Sequence, residues 1–213
     1  MRCPRRSHAS HSPLAPDHQA AMTQLVDAAT GSRPEGIRRT ATVVFTDLAD
    51  STAQRIRLGE SLADRLRRVH DDMLVTHIEE HSGLVVKCTG DGIHACFDSS
   101  IAAIECAIQI QIALEDYSQS PSAIATLRAR IGIAAGDVLW ASVGGRPDCF
   151  GLPVIEAARL VTVAKPAEII CSRTVRLLAR ELGSHGYEPI GPLTLKGFNE
   201  PTNAFRIAYE NGA

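Results

Sequence analysis

The stretch ATVVFTDLADST at residues 41–52 constrains this chain more than any other. Residues 41–45 are apolar and rich in β-branched side chains, and a polar turn of Thr46, Asp47, Asp50, Ser51 and Thr52 closes them. That pattern predicts a buried strand delivering a carboxylate, Asp47, at its C-terminal edge. An aspartate after a strand also serves as the N-cap of a following helix, and Asp50 or Ser51 suits that role equally. A cation-binding reading of Asp47 therefore requires a second carboxylate. KCTGDG at residues 87–92 supplies one. Residues 84–88 and 93–97 are strand-like, and Gly90-Asp91-Gly92 between them suits a tight hairpin with Asp91 at its tip, where an aspartate is also an ordinary turn residue.

A chain of 213 residues with an apolar fraction of 45% suits one folded domain. Aromatic residues make up only 4% and the formal net charge is −2, so neither a basic surface nor a base-stacking platform for nucleic acid is expected. The six cysteines, Cys3, Cys88, Cys96, Cys106, Cys149 and Cys171, contain no C-x-x-C pair and lie mostly in apolar stretches. Buried thiols in a reducing cytoplasm fit that pattern. No stretch approaches the roughly 20 apolar residues of a membrane span, and no apolar core of a signal peptide follows Arg2, Arg5 and Arg6. No membrane partner is expected. Residues 1–37, rich in Ser, His, Pro, Ala and Arg, read as a flexible tail, and residues 38–213 as the folded domain.

A helical region is predicted from 51 to 81, broken near Gly59, with Leu62, Leu66, Val69, Met73 and Ile78 facing the core. His77 and His81 have the one-turn spacing of a two-histidine metal site. No third ligand accompanies them, so solvated or helix-terminal roles are expected. Gly83 is expected to end the helix. Residues 99–116 are apolar on almost every side and predict a helix buried against a sheet. Residues 126–135 alternate as a strand, and Gly136-Asp137 is expected to turn it into a second strand at 138–143, a second hairpin. Residues 144–151 read as a loop holding Asp148. Pro153 opens a helix to about 163 that carries Ile155 and Arg159 on one face. A short strand at 168–171, a helix capped by Ser172 and running to about 182, and closing strands at 190–195 and 204–209 complete the chain. The order β-α-β-β-α-β predicts an α+β fold with a ferredoxin-like βαββαβ core and a C-terminal extension.

FTDLADST around Asp47, K-x-x-G-D-G from Lys87 to Gly92, RIGIAAG at 130–136, DCFGLPVIEAARL at 148–160 and LKGFNEP at 195–201 together resemble one family. This is the class III nucleotidyl cyclase catalytic domain, the adenylate and guanylate cyclase fold, in its bacterial, actinobacterial-like form. The resemblance runs in order and spacing from Arg38 to Tyr209. It implies that Asp47 and Asp91, with the Leu48 carbonyl, hold two divalent ions, Mg²⁺ or Mn²⁺, hard cations suited to oxygen ligands. It implies that backbone N–H groups between Leu48 and Thr52 cradle the triphosphate of ATP, and that the ribose 3′-oxygen displaces pyrophosphate in line to give 3′,5′-cyclic AMP. Lys87 would donate to adenine N1 and Asp148 accept from the 6-amino group, whereas guanylate cyclases typically present Glu and a small or sulfur-bearing residue there. Arg159 matches the transition-state arginine.

Two positions depart from the family pattern. Ile155 stands where the family has asparagine, and Phe198 where a phosphate-gripping lysine often sits, leaving Lys196 as a substitute. Glu156, three residues before Arg159, is spaced to pair with it and draw it away. In this family the metal carboxylates come from one subunit and the base-reading and transition-state residues from the other. This chain carries both sets, which implies a head-to-tail homodimer. The expected activity is an adenylate cyclase weakened at Ile155; the alternative is an inactive cyclase-fold module that binds nucleotide or a partner. A diguanylate cyclase fits less well, because Gly90-Asp91-Gly92 lacks the acidic Gly-Gly-Asp/Glu-Glu-Phe hairpin.

Overall fold

In the computed structural model, which describes residues 36–179 and 186–209, the strand around Val43 is longer than its apolar run. It spans Gly36–Leu48 (β1) and pairs antiparallel with Ile93–Phe97 (β3) on one side and Ala129–Val143 (β4) on the other. Its residues 41–46 are all buried, which explains a continuous apolar run where a one-sided strand would alternate. The remaining elements are Ser51–Leu58 (α1), Glu60–Glu80 (α2), Leu84–Cys88 (β2), Ser100–Gln119 (α3), Arg146–Phe150 (β5), Leu152–Val163 (α4), Ile169–Ser172 (β6), Arg173–Ala179 (α5), Gly186–Leu193 (β7) and Thr202–Ala208 (β8). The sheet runs β2-β3-β1-β4-β6-β8-β7, with β5 pairing β4 off this path. Its β2-β3-β1-β4 portion is the expected antiparallel ferredoxin-like core, and the parallel β4–β6 pairing begins the C-terminal extension.

Helices cover both faces. On α2 the buried stripe is Ala63, Leu66, His70, Leu74 and Ile78, recurring at three and four residues. Leu66 and Ile78 lie on it as expected; Leu62, one residue off the stripe, is exposed. The stripe packs with α3 against Val44, Ile93, Phe97 and Ile131. On the opposite face α4 lies so close to β4 that a Cβ on Gly132 would come within 2.5 Å of the Ala157 carbonyl oxygen. The break at Gly59 occurs as expected. At the end of α2, Ser82 takes the left-handed conformation (φ 59°) and the Gly83 N–H closes onto the Ile78 carbonyl at 2.7 Å. His81 caps that end, its Nδ1 2.8 Å from the His77 carbonyl, the helix-terminal role expected of it.

The hairpin expected at Gly136-Asp137 does not form. β4 runs straight through both residues because β1 remains paired along its whole length, Ala41 opposite Gly136 and Thr40 opposite Asp137. The chain reverses instead at Gly144 and Gly145, both at positive φ (57° and 77°), so the expected loop at 144–151 is a tight turn followed by β5. Asp148 consequently stands on a strand. Helix α5 is described over Arg173–Ala179; residues 180–185, which hold the rest of its expected run to about 182, and residues 1–35, where most of the expected tail falls, lie outside the described residues. Cys96, Cys106, Cys149 and Cys171 are buried free thiols. Among the described residues no helix is long and apolar enough to cross a membrane.

Candidate functional site

The β2–β3 hairpin folds back onto the end of β1 and brings the Asp91 segment beside the residues that follow Asp47. The Leu48 N–H donates to the Asp91 carbonyl at 2.8 Å, and the Ile93 N–H donates to Thr46 Oγ1 at 2.8 Å. Between these bonds Gly92 touches the β1 backbone: a Cβ there would lie 1.8 Å from the Thr46 carbonyl oxygen, so only glycine permits this approach. Ser51 Oγ donates to Asp91 Oδ2 at 2.7 Å, and Arg67 Nη1 holds the hairpin tip through the Gly90 carbonyl at 2.8 Å. Asp47 Oδ2 accepts from Arg130 Nη1 at 2.6 Å, while no hydrogen bond among the described residues engages its Oδ1. Asp47, Asp91 and the Leu48 carbonyl offer oxygen donors only, the donor type that fits a hard divalent cation.

Helix α1 starts immediately after this point with Asp50 in the left-handed conformation (φ 59°) and no side-chain cap. The Leu48 and Ala49 N–H groups already donate to the Asp91 and Arg128 carbonyls. The anion-cradling donors expected between Leu48 and Thr52 are therefore narrowed to residues 50–52, at the positive end of the helix dipole. Thr52 is exposed, and with Ser51, Arg55, Arg67 and Asp91 it lines a small cavity of about 80 Å³.

Lys87 and Asp148, 61 residues apart, meet at 2.7 Å through Nζ and Oδ2. Lys87 stands on β2 opposite His94, and Asp148 on β5 opposite Ala141. The Asp148 side chain is 16% exposed and the Lys87 side chain 41%. The Cys149 N–H donates to Asp148 Oδ1 at 2.9 Å, which orients the carboxylate. The result is a charged donor beside a charged acceptor, a pair able to read adjacent acceptor and donor positions on a planar ring.

Arg159 lies on α4, which is anchored by the buried residues Pro153, Ala157, Leu160 and Val161. Its Nε donates to the Lys196 carbonyl at 3.3 Å. Among the described residues no ion pair joins it to Glu156, whose carboxyl is shifted upward by burial, so the competition expected from that neighbour is absent from this structure. Lys196 is exposed. Phe198 packs against Leu160, Leu195 and Ala204, so it is part of a small apolar cluster. Ile155 is half-buried, one turn before Arg159.

Sequence reasoning missed two residues of this arrangement. Arg130 reaches Asp47 because β1–β4 pairing sets the two directly opposite. Ser51, read as a candidate helix cap, instead bonds the Asp91 carboxylate on the β2–β3 hairpin. Neither link is visible in local spacing.

The adenylate and guanylate cyclase catalytic domain model matches residues 36–208. Over 184 residues the chain is 31% identical to serine/threonine-protein kinase pkn2 of Myxococcus xanthus, an alignment covering 85% of this chain and 21% of that protein. The chain spans 41% of the length of an uncharacterized protein of Mycobacterium bovis that it matches at 31% identity. The fold superposes on the adenylyl cyclase CyaB from P. aeruginosa with a TM-score of 0.76 at 20% identity, covering 83% of this chain and 97% of that one. It also superposes on the guanylyl cyclase Cya2, with a TM-score of 0.73 at 23% identity, covering 81% and 93%. Cyclase domains of this kind generally use divalent metals, and dimerisation is typical of them. The chain belongs to the class III adenylate and guanylate cyclase catalytic-domain family.

Proposed function

We propose that residues 38–213 form an adenylate cyclase domain that converts ATP to 3′,5′-cyclic AMP and pyrophosphate in the cytoplasm, at the interface of a head-to-tail homodimer. The observation that carries this reading is the Lys87–Asp148 pair, Nζ and Oδ2 2.7 Å apart. Adenine offers an acceptor at N1 beside a donor at its 6-amino group. Guanine offers a donor at N1 beside an acceptor at O6, so a lysine facing N1 and an aspartate facing the 6-substituent favour adenine. Hydrogen bonds to charged groups contribute about 1.5–3 kcal/mol each, enough for strong discrimination.

Asp47, Asp91 and the Leu48 carbonyl are the residues that would hold the metal. Two divalent ions, Mg²⁺ or Mn²⁺, supply charge neutralisation and a lowered pKa of the ribose 3′-hydroxyl when bound. Ser51 orients the Asp91 carboxylate for that role. Arg130 balances the Asp47 charge when the ions are absent and must give way or share when they bind. The N–H groups of residues 50–52, with the Thr52 hydroxyl, bind the triphosphate. Arg159, steadied by the Lys196 carbonyl, stabilises the charge that develops at the α-phosphate, and the Lys196 ammonium lies on the adjoining segment to contact phosphate. Ile155 donates nothing at the position of the family's asparagine. Losing one preorganised donor costs about 10²–10³ in rate, so turnover is slow. Exposed Ile37 (74%) and Leu152 (69%) are large apolar side chains suited to the mating surface of the homodimer.

The test is cyclic-nucleotide production by the purified chain with Mn²⁺ or Mg²⁺ and either ATP or GTP. Cyclic AMP from wild type, lost in Asp47→Ala, supports the proposal. Wild type inactive at concentrations where it is dimeric, and unrescued by Ile155→Asn, would favour a module that binds nucleotide or a partner without turnover.

A further inference from the structure

Behind Lys87 and Asp148 three soft donors converge in the core. His94 and Cys96 project from the same face of β3, two residues apart, and Cys149 reaches them from β5. His94 Nε2 lies 3.4 Å from Cys149 Sγ and 3.8 Å from Cys96 Sγ, and the two sulfurs are 3.2 Å apart. All three residues are buried, His94 completely. The His94 ring stacks on Phe45 at 4.4 Å with only 12° between the planes, which fixes the imidazole so that Nε2 points at the sulfurs. Its Nδ1 has no partner among the described residues.

We propose that His94, Cys96 and Cys149 form a binding site for one zinc ion, separate from the carboxylates Asp47 and Asp91. The distances carry the argument. Zinc bonds of about 2.3 Å to sulfur and about 2.0–2.1 Å to imidazole nitrogen, arranged tetrahedrally, require sulfurs about 3.8 Å apart and sulfur–nitrogen separations of about 3.5 Å. The two sulfur–nitrogen separations, 3.4 and 3.8 Å, bracket the required value, and the sulfurs, 3.2 Å apart, must open by about 0.6 Å to take the metal between them. Charge points the same way. Two thiolates and a neutral imidazole carry −2, which a divalent cation closes to zero, and uncompensated charge in a buried site is heavily destabilising. Thiolate and imidazole ligands select zinc over the magnesium-type ions that suit carboxylates. A water completes the tetrahedron.

Each cysteine that binds does so as a thiolate, so zinc binding releases the thiol protons to solvent. The consequence for the rest of the molecule is mechanical. His94 pairs across from Lys87, and Cys149 directly follows Asp148. A metal tying β3 to β5 fixes the strand that carries Asp148 and the strand against which Lys87 is paired.

The experiment uses the full chain, reduced with a phosphine, stripped by a chelator and titrated with Co²⁺ in the absence of nucleotide. Its readout is independent of cyclase activity, so its failure and the failure of the cyclase reading are distinguishable. One equivalent of Co²⁺ should produce thiolate-to-cobalt charge-transfer absorption that one equivalent of Zn²⁺ abolishes and millimolar Mg²⁺ does not. Zinc at 100 times its dissociation constant should raise Tm by about 5–10 °C. Cys149→Ser and Cys96→Ser should each weaken zinc binding at least about 100-fold, since losing even a hydrogen-bond partner of a metal ligand costs about 10–100-fold. Asp47→Ala should leave the cobalt spectrum unchanged. Absence of the charge-transfer band at one equivalent, its survival in both serine variants, or its loss in Asp47→Ala would each overturn the proposal.

Discussion

Replacing Ile155 with asparagine should improve catalysis while lowering stability, and the two effects can be read separately. Ile155 is half-buried and belongs to none of the three buried apolar clusters, whereas its neighbours Pro153 and Ala157 anchor α4. Fully burying an isoleucine contributes about 1.5–3 kcal/mol, so a half-buried one contributes about 1 kcal/mol. For a chain of this size that loss corresponds to a fall in Tm of about 2–4 °C. On the catalytic side, residues one helical turn apart have Cβ atoms about 5–6 Å from each other, so an asparagine at 155 adds a donor next to Arg159. A donor that acts on developing charge is worth about 10²–10³ in kcat, or about 2.7–4 kcal/mol. An interaction made only in the transition state raises kcat and kcat/KM by the same factor. The assay is cyclic AMP formation at saturating ATP and Mn²⁺, with a thermal melt on the same preparation. An unchanged kcat in a folded, dimeric Ile155→Asn protein would refute the reasoning, because position 155 would then not face the reacting phosphate.

Gly92→Ala should cost more than about 10² in kcat and lower Tm as well: its Cβ would fall 1.8 Å from the Thr46 carbonyl oxygen, so the hairpin must lift and carry Asp91 with it, and misplacements of about 1 Å cost about 10²-fold. Activity and melting of the variant check this together, and a wild-type kcat would refute the close approach. Lys87→Glu combined with Asp148→Cys should shift the ATP-to-GTP ratio of kcat/KM by at least about 10²-fold toward GTP, from the loss and replacement of two charged hydrogen bonds; an unaltered ratio would remove base reading from this pair. Burial holds the Glu156 carboxyl above its ordinary 4.5, so the folded state binds its proton more tightly than the unfolded chain does. The associated stability is fully present below pH 4.5 and is lost as pH rises through the folded-state value. Glu156→Gln should therefore raise Tm relative to wild type at about pH 7 and not at about pH 4, and a difference that is flat across that range would sink the assignment.

Much of this protein is legible in its sequence. The period of α2, the proline opening α4 and the two aspartates beside glycine and strand signals are all local properties, set within a few residues by backbone sterics and side-chain spacing. The order of elements and the ferredoxin-like core follow from those local choices, as does the resemblance that predicts Asp47, Leu48, Thr52, Lys87, Asp91, Asp148, Arg159 and Lys196 as site residues. Strand β4 marks the limit of such reasoning. Gly136-Asp137 and Gly144-Gly145 are both turn signals, and which one bends the chain depends on how far β1 extends as a hydrogen-bonding partner.

Tertiary structure alone decided who meets whom. Arg130 pairs with Asp47 because strand register puts them opposite, Lys87 meets Asp148 across 61 residues because β2 and β5 both return to the central strands, and Phe198 packs into a cluster with Leu160. The same convergence gathers His94, Cys96 and Cys149, which along the chain are an ordinary pair in one strand and a lone cysteine in another. Local sequence determines the shape and polarity of each segment because those depend on nearby dihedrals and spacing. Sites made of distant side chains depend on sheet register and helix docking, which the balance of burial over the whole fold determines.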